Sequence, residues 1–345
     1  MSRSHSRGRW RKAWSAIALA VGLAAVLWVL GRVDYERLLE VVRRAEVAPL
    51  LAVPLAIAAE QLIRAWKWRQ QLHEIRPVGN LRLFGAIMAG YFATMLIPLG
   101  ISPLVRSWLI ARLEGLKMST VLATAAIDRL VDGLVFCGFV ALALALAAVP
   151  EANGGIRLGL LAGGLGSFLG FAALLYGLSR FKARAGEAGA WPARAAALLP
   201  ERFSGPLLQV LRAFAEGVVW PRQHRRGLAI VLASTTMKLV SLSHFFWAGL
   251  GFGVVLGFTD YLFLLVFFGF LLITSRMTRV PGGFFLGTVF ALDLLGVAEE
   301  QALAMVLVVQ ASTVATVGVV GAVALWRSGL ALGDLKAAAP AAAKA

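Results

Sequence analysis

The chain has 345 residues, of which 59 % are hydrophobic and only 15 % charged, and its mean hydropathy is +0.79. A soluble domain carries roughly 25 % charged residues, so this composition excludes an ordinary soluble enzyme and predicts an all-α, polytopic membrane protein forming one membrane domain over 1–345. The net charge of +16 does not point to nucleic acid, because the basic residues fall mainly between apolar runs, as retention of loops on the cytoplasmic side requires.

Apolar runs near the roughly 20 residues needed to cross a bilayer lie at about 14–30, 47–63, 118–149, 156–179, 227–256 and 299–326. Arg3, Arg7, Arg9, Arg11 and Lys12 precede the first run, as in a secretory signal. No small-x-small cleavage site follows it, and an uncleaved first span is expected. Residues 33–46 and 193–219 place apolar side chains at helical spacing opposite charges, which suits helices lying on the membrane surface. The Ala-rich end, 337–345, is low in complexity and expected to be disordered.

Two shorter runs, about 83–98 and 261–274, lead into breaks. One reads Phe92-Ala-Thr-Met-Leu-Ile-Pro98-Leu-Gly100; the other reads Arg276-Met-Thr-Arg279-Val-Pro281-Gly282-Gly283. Proline- and glycine-interrupted segments at corresponding places in two halves are a pointer to a transporter's binding site. Lipid cannot satisfy a broken backbone, so such a break must be covered by protein or face a polar cavity.

Charge orders the chain further. If 1–13, the basic stretch 64–82, the basic stretch 180–226 and the tail from Arg327 lie inside, then 150–157, 257–260 and 293–300 lie outside. Parity then makes 83–117 a re-entrant hairpin opening inward and 261–296 one opening outward. About six full spans plus two opposed hairpins form an inverted repeat, 14–149 against 227–327, linked by the span 156–179; eight simple spans are the alternative. Both termini are expected in the cytoplasm and the protein in the inner membrane.

Chemistry-bearing residues are few. The single cysteine, Cys137, permits no disulfide within one chain, and the four histidines show no metal-ligand spacing. No cofactor is expected, and no phosphate-binding loop with its lysine occurs. Charged side chains inside spans cost about 2.5–3.5 kcal/mol or more and are functional candidates by default. Asp128 and Asp132 share one helix face in the span 118–149, while Arg129 points about 100° away and is expected to pair with another helix. Arg106 follows the first break; Arg276 and Arg279 precede the second. Arginines beside free backbone N–H groups would suit a phosphate. Glu60, Lys238 and His244 read as isolated packing or snorkelling residues.

The run Pro98, Arg106, Ile127-Asp128-Arg129-Leu130-Val131-Asp132, followed by Pro281-Gly282-Gly283-Phe-Phe-Leu-Gly287, resembles the flippase-like membrane domain of the lysylphosphatidylglycerol synthase family, over about 14–327. Ser102-Pro103 stands where that family has Gly and an acidic residue, Thr288 where an acidic residue is usual, and Gln310 where an arginine is. The family's soluble aminoacyl-transfer domain is not expected in this chain. The resemblance implies flippase-like activity, translocation or binding of a lipid with a phosphate-bearing head group. Since no catalytic or nucleotide-binding motif occurs, no enzymatic step is expected. The expected partners are membrane lipids, anionic ones above all, with no nucleic acid and with lipid- or envelope-biosynthesis proteins as further candidates. The head-group pathway is then expected at Arg106, Asp128, Arg129, Asp132, Arg276 and Arg279 around Pro98, Gly100, Pro281, Gly282 and Gly283. Rival functions are a membrane-embedded transferase on a lipid-linked substrate and a non-transporting subunit of a biosynthetic complex.

Overall fold

A computed structural model of the protein describes residues 31, 34–96, 102–146, 154–184, 216–278 and 282–328. Every element among them is an α-helix. In chain order these are α1 (Tyr35–Arg43), α2 (Val47–Leu72), α3 (Asn80–Leu96), α4 (Ser102–Glu114), α5 (Met118–Ala145), α6 (Gly154–Arg184), α7 (His224–Gly251), α8 (Phe258–Thr278), α9 (Gly283–Asp293) and α10 (Glu299–Arg327). The expected first span 14–30, most of 193–219 and the tail 337–345 lie outside the described residues.

Four helices contain stretches long and apolar enough to cross a membrane: Val47–Leu72, Arg157–Leu174, His224–Gly251 and Glu299–Arg327. With its 28 residues α5 is long enough as well, but any 18-residue stretch of it includes Asp128, Arg129 and Asp132. Those three charges are buried or half-buried, which removes the solvation penalty from the lipid side and transfers it to their partners. The protein is thus polytopic and helical. Its helix lengths also repeat: α2 to α5 run 26, 17, 13 and 28 residues, α7 to α10 run 28, 21, 11 and 29.

One boundary corrects the sequence reading. The stretch 64–82, expected as a basic loop, is helical as far as Leu72, and Arg64 and Lys67 within it are buried. Counting them as loop charges treated every basic residue as solvated; carboxylates at Glu60, Asp128 and Asp132 keep them inside.

The chain divides into two compact units, one from Met1–Pro54, Gly138–Gly164 and Leu242–Ala311, the other from Leu55–Cys137, Leu165–Ser241 and Ser312–Ala345. In the first, α8 and α9 form an antiparallel pair closed by rings: Phe268 meets Phe284 with centroids 6.1 Å apart and Phe267 meets Phe290 at 6.4 Å. Gly282 caps α9 at φ 74°, a left-handed conformation open to glycine at little cost. In the same unit α1 buries none of its side chains. Asp34 caps it by accepting hydrogen bonds from the N–H groups of Glu36 and Arg37. Its Tyr35, Leu39 and Val42 form an exposed apolar stripe, and its Arg37, Glu40 and Arg44 line a cleft of about 520 Å³ with Glu46, Glu300 and Gln301.

In the second unit, α3 and α4 form the other antiparallel pair. Arg82 at the start of α3 bonds Glu114 at the end of α4 at 2.5 Å, and Arg76 reaches the same carboxylate at 3.4 Å. At the far end, a methyl on Gly90 would stand 2.9 Å from the Ser102 carbonyl oxygen, so the two backbones touch there. Trp68, Leu83, Ile87, Leu109 and Ile110 are among the residues of the core between α2, α3 and α4.

Candidate functional site

Two polar stripes face each other inside the second unit. Glu60, Arg64, Lys67 and Gln71 recur at helical spacing on α2, and Thr120, Thr124, Asp128 and Asp132 on α5; all eight are buried. Arg64 reaches Asp132, Lys67 reaches Asp128 and Asp132, and Trp68 reaches Thr124. Numbers rise on one helix as they fall on the other, so α2 and α5 run antiparallel here.

Lys67 sits at the centre. It is 0 % exposed, its ammonium lies 2.7 Å from Asp128 Oδ1, and it donates to Asp132 Oδ1 and to Ser234 Oγ of α7, the latter at 3.2 Å. Ser234 in turn donates its O–H to Asp132 Oδ1 at 2.9 Å. The i, i+4 spacing of the two aspartates sets them about one turn apart on one face, and a single lysine fits between them.

Arg64 is saturated. It donates from Nη2 to Glu60 at 2.6 Å and from Nε to Gln61 at 3.0 Å, and Nη1 lies 3.8 Å from Asp132. Glu60 is therefore an ion-pair partner, which corrects its reading as an isolated packing residue. Lys238 lies 5.7 Å from the Phe136 ring centre, and His244 is buried.

Arg106 differs from all of these. It is 1 % exposed, its Nη2 is 3.5 Å from Asp128 Oδ2, and its Cζ lies 4.8 Å from the Trp68 ring centre. Trp68 is itself fixed, donating Nε1–H to Thr124 Oγ1 at 3.0 Å. Among the described residues none of the three guanidinium nitrogens of Arg106 has a hydrogen-bond partner, and neither has either oxygen of Asp128. Asp128 is held by the close ion pair with Lys67 at 2.7 Å and by the more distant Arg106. Buried guanidinium N–H groups left unmade are costly, more so than neutral ones, and such an orphan calls for an acceptor.

The sequence-selected residues thus divide. Arg106, Asp128 and Asp132 come together. Arg129, expected to pair with another helix, is half-buried and has no carboxylate within 4.0 Å among the described residues. With Lys238 of α7, which interacts electrostatically with the same groups, it leaves the network two cations in excess, since Arg64, Lys67 and Arg106 balance Glu60, Asp128 and Asp132. Arg276 falls in the last turn of α8 and Gly282-Gly283 start α9. Pro98, Gly100, Arg279 and Pro281 lie outside the described residues. Ser102 is the buried first residue of α4, and Thr288 is satisfied within its own helix by the Phe284 carbonyl at 2.7 Å.

Glu60, Arg64, Lys67, Trp68 and Ser234 were missed as site residues. The signal was present as polar residues at positions 60, 64, 67 and 71, a helical stripe running past the end expected for that span. No metal-ligand group of three or more His, Cys, Asp or Glu occurs among the described residues.

Comparison with known families gives a match over residues 15–321 to the family described as "Lysylphosphatidylglycerol synthase TM region". No curated protein and no solved structure matches the chain.

Proposed function

The chain belongs to the family of the lysylphosphatidylglycerol synthase transmembrane region, and on that premise we propose that it is a flippase-like protein that binds or translocates a lipid with a phosphate-bearing head group. The observation that carries this reading is Arg106: a buried, unsatisfied guanidinium stacked on a hydrogen-bonded tryptophan. A guanidinium on an aromatic face keeps its in-plane N–H fork free for bidentate pairing with an oxyanion. The excess of cations from Arg129 and Lys238 favours an anion in the same region.

In this reading the protein performs no chemical step on the lipid, and movement is passive or ion-coupled. The two Pro/Gly-broken pairs act as re-entrant hairpins. Their shorter helices support this: α4 with 13 residues and α9 with 11 span about 20 and about 16 Å at 1.5 Å per residue, against a hydrocarbon core of about 30 Å. The membrane in this reading is the cell's inner (plasma) membrane, with both chain termini cytoplasmic.

Two measurements test this. In proteoliposomes containing a fluorescent phosphatidylglycerol, Arg106→Gln is expected to lower scrambling at least tenfold, the loss of one charged hydrogen-bonding group at about 1.5–3 kcal/mol, and Arg106→Lys to lower it too. Scrambling at the wild-type rate in both variants removes the phosphate site. For topology, in a Cys137→Ser background, a cysteine at Ala298 is expected to react with an impermeant thiol reagent from outside the cell and one at Ile75 only after lysis. The reverse pattern overturns the orientation.

A further inference from the structure

We propose that Lys67 is the positioning residue that keeps Arg106 available to an anion, by neutralising the carboxylates that would otherwise occupy it. This rests on the phosphate-site reading of Arg106 and adds the device that maintains it.

Asp128 stands between two buried cations, Lys67 at 2.7 Å and Arg106 at 3.5 Å. The lysine is the nearer, because the register of α2 against α5 sets it opposite both aspartates. The arginine approaches Asp128 without a hydrogen bond. Two features hold it at that distance. Trp68 lies under its plane, fixed by Thr124, and Lys67 already compensates the carboxylate. The other charges of the network are committed elsewhere: Arg64 to Glu60, Gln61 and Asp132, and Asp132 to Lys67 and Ser234 as well. Arg106 is left with a weak internal partner and an open fork, so an incoming phosphate oxyanion exchanges with Asp128 without stranding that carboxylate.

Without Lys67 the balance reverses. Asp128 would keep a full buried charge with Arg106 as its nearest cation, and low polarity strengthens that attraction. Arg106 would close onto Asp128 as a bidentate pair, and the receptor would be lost although Arg106 is still present. Neutralising Asp128 as well should free it again. A merely structural ion pair predicts no such recovery of binding.

The test uses the full chain in detergent, with its thermal midpoint followed against phosphatidylglycerol in mixed micelles, diacylglycerol as the head-group-free control, and inorganic phosphate. Wild type is expected to rise in midpoint with phosphatidylglycerol only. Lys67→Met is expected to need about tenfold more of it, a change of about 1.4 kcal/mol, and Lys67→Met/Asp128→Asn to return close to wild type. Asp128→Asn alone, which removes the internal competitor, is expected to bind several-fold tighter, and this arm decides the matter if Lys67→Met does not fold. A folded Lys67→Met with wild-type response, a folded double variant as weak as the single one, or an Asp128→Asn weaker than wild type each overturns the role of Lys67. Arg106→Gln with a wild-type response instead overturns the phosphate site itself. A response to inorganic phosphate in place of the lipid keeps the role of Lys67 and assigns the site to the free anion.

Discussion

Asp132→Ala is expected to destabilise the fold by about 3–5 kcal/mol, the range for cutting one partner out of a buried ion pair. Asp132 accepts from Lys67 and from Ser234 at 2.9 Å, and Arg64 lies at 3.8 Å. Its loss leaves the lysine with Asp128 as its one carboxylate partner and strips Ser234 of its acceptor, all at positions with almost no access to solvent. Lys67 is 0 % exposed, so water does not stand ready to replace what is lost. Unfolding in detergent followed by tryptophan fluorescence should show a midpoint lower by many degrees. Thr124→Val provides a smaller companion: Trp68 Nε1–H loses its acceptor, which costs about 1–3 kcal/mol. An unchanged midpoint for Asp132→Ala would mean that the aspartate is not a keystone of this network.

The second large effect is steric. A methyl group at Gly321 of α10 would stand 2.6 Å from Phe92 Cβ and 2.7 Å from the Met88 carbonyl oxygen of α3. Neither neighbour is the end of a flexible side chain, so one backbone must shift. Three residues earlier on α10, Gly318 has nothing within 4 Å. Small residues let helices approach closely in a membrane, where packing rather than water exclusion drives association. Gly321→Ala is expected to lose about 1–3 kcal/mol to overpacking, while Gly318→Ala should be neutral or slightly stabilising through helix propensity. Equal midpoints in the two variants would show that α3 and α10 are not in contact at this point.

Much of this protein was legible in the residue order. Apolar runs and helical spacing predicted helices close to α1, α2, α5, α6, α7 and α10, since length and period are properties of the segment itself. The breaks around Pro98 and Pro281 separated α3 from α4 and α8 from α9, because proline and glycine act on their own backbone. Asp128 and Asp132 stood out as charges within an apolar run, and their common face follows from a spacing of four. The family could be read from the order of its short motifs.

What stayed hidden depends on which helix faces which. Arg64 and Lys67 read as loop cations because a charge on one helix gives no sign of the opposite charge on another. Their burial follows from the antiparallel register of α2 against α5, which pairs residue 67 with residues 128 and 132 across the interface. Ser234 joins from α7, more than a hundred positions beyond Asp132 in the sequence, through a hydroxyl unremarkable on its own. The unfilled fork of Arg106 is a tertiary fact in the strict sense. The residue type supplied five donors, and only the packing of Trp68 beneath it and Lys67 beside its carboxylate decided that those donors would be left without an acceptor.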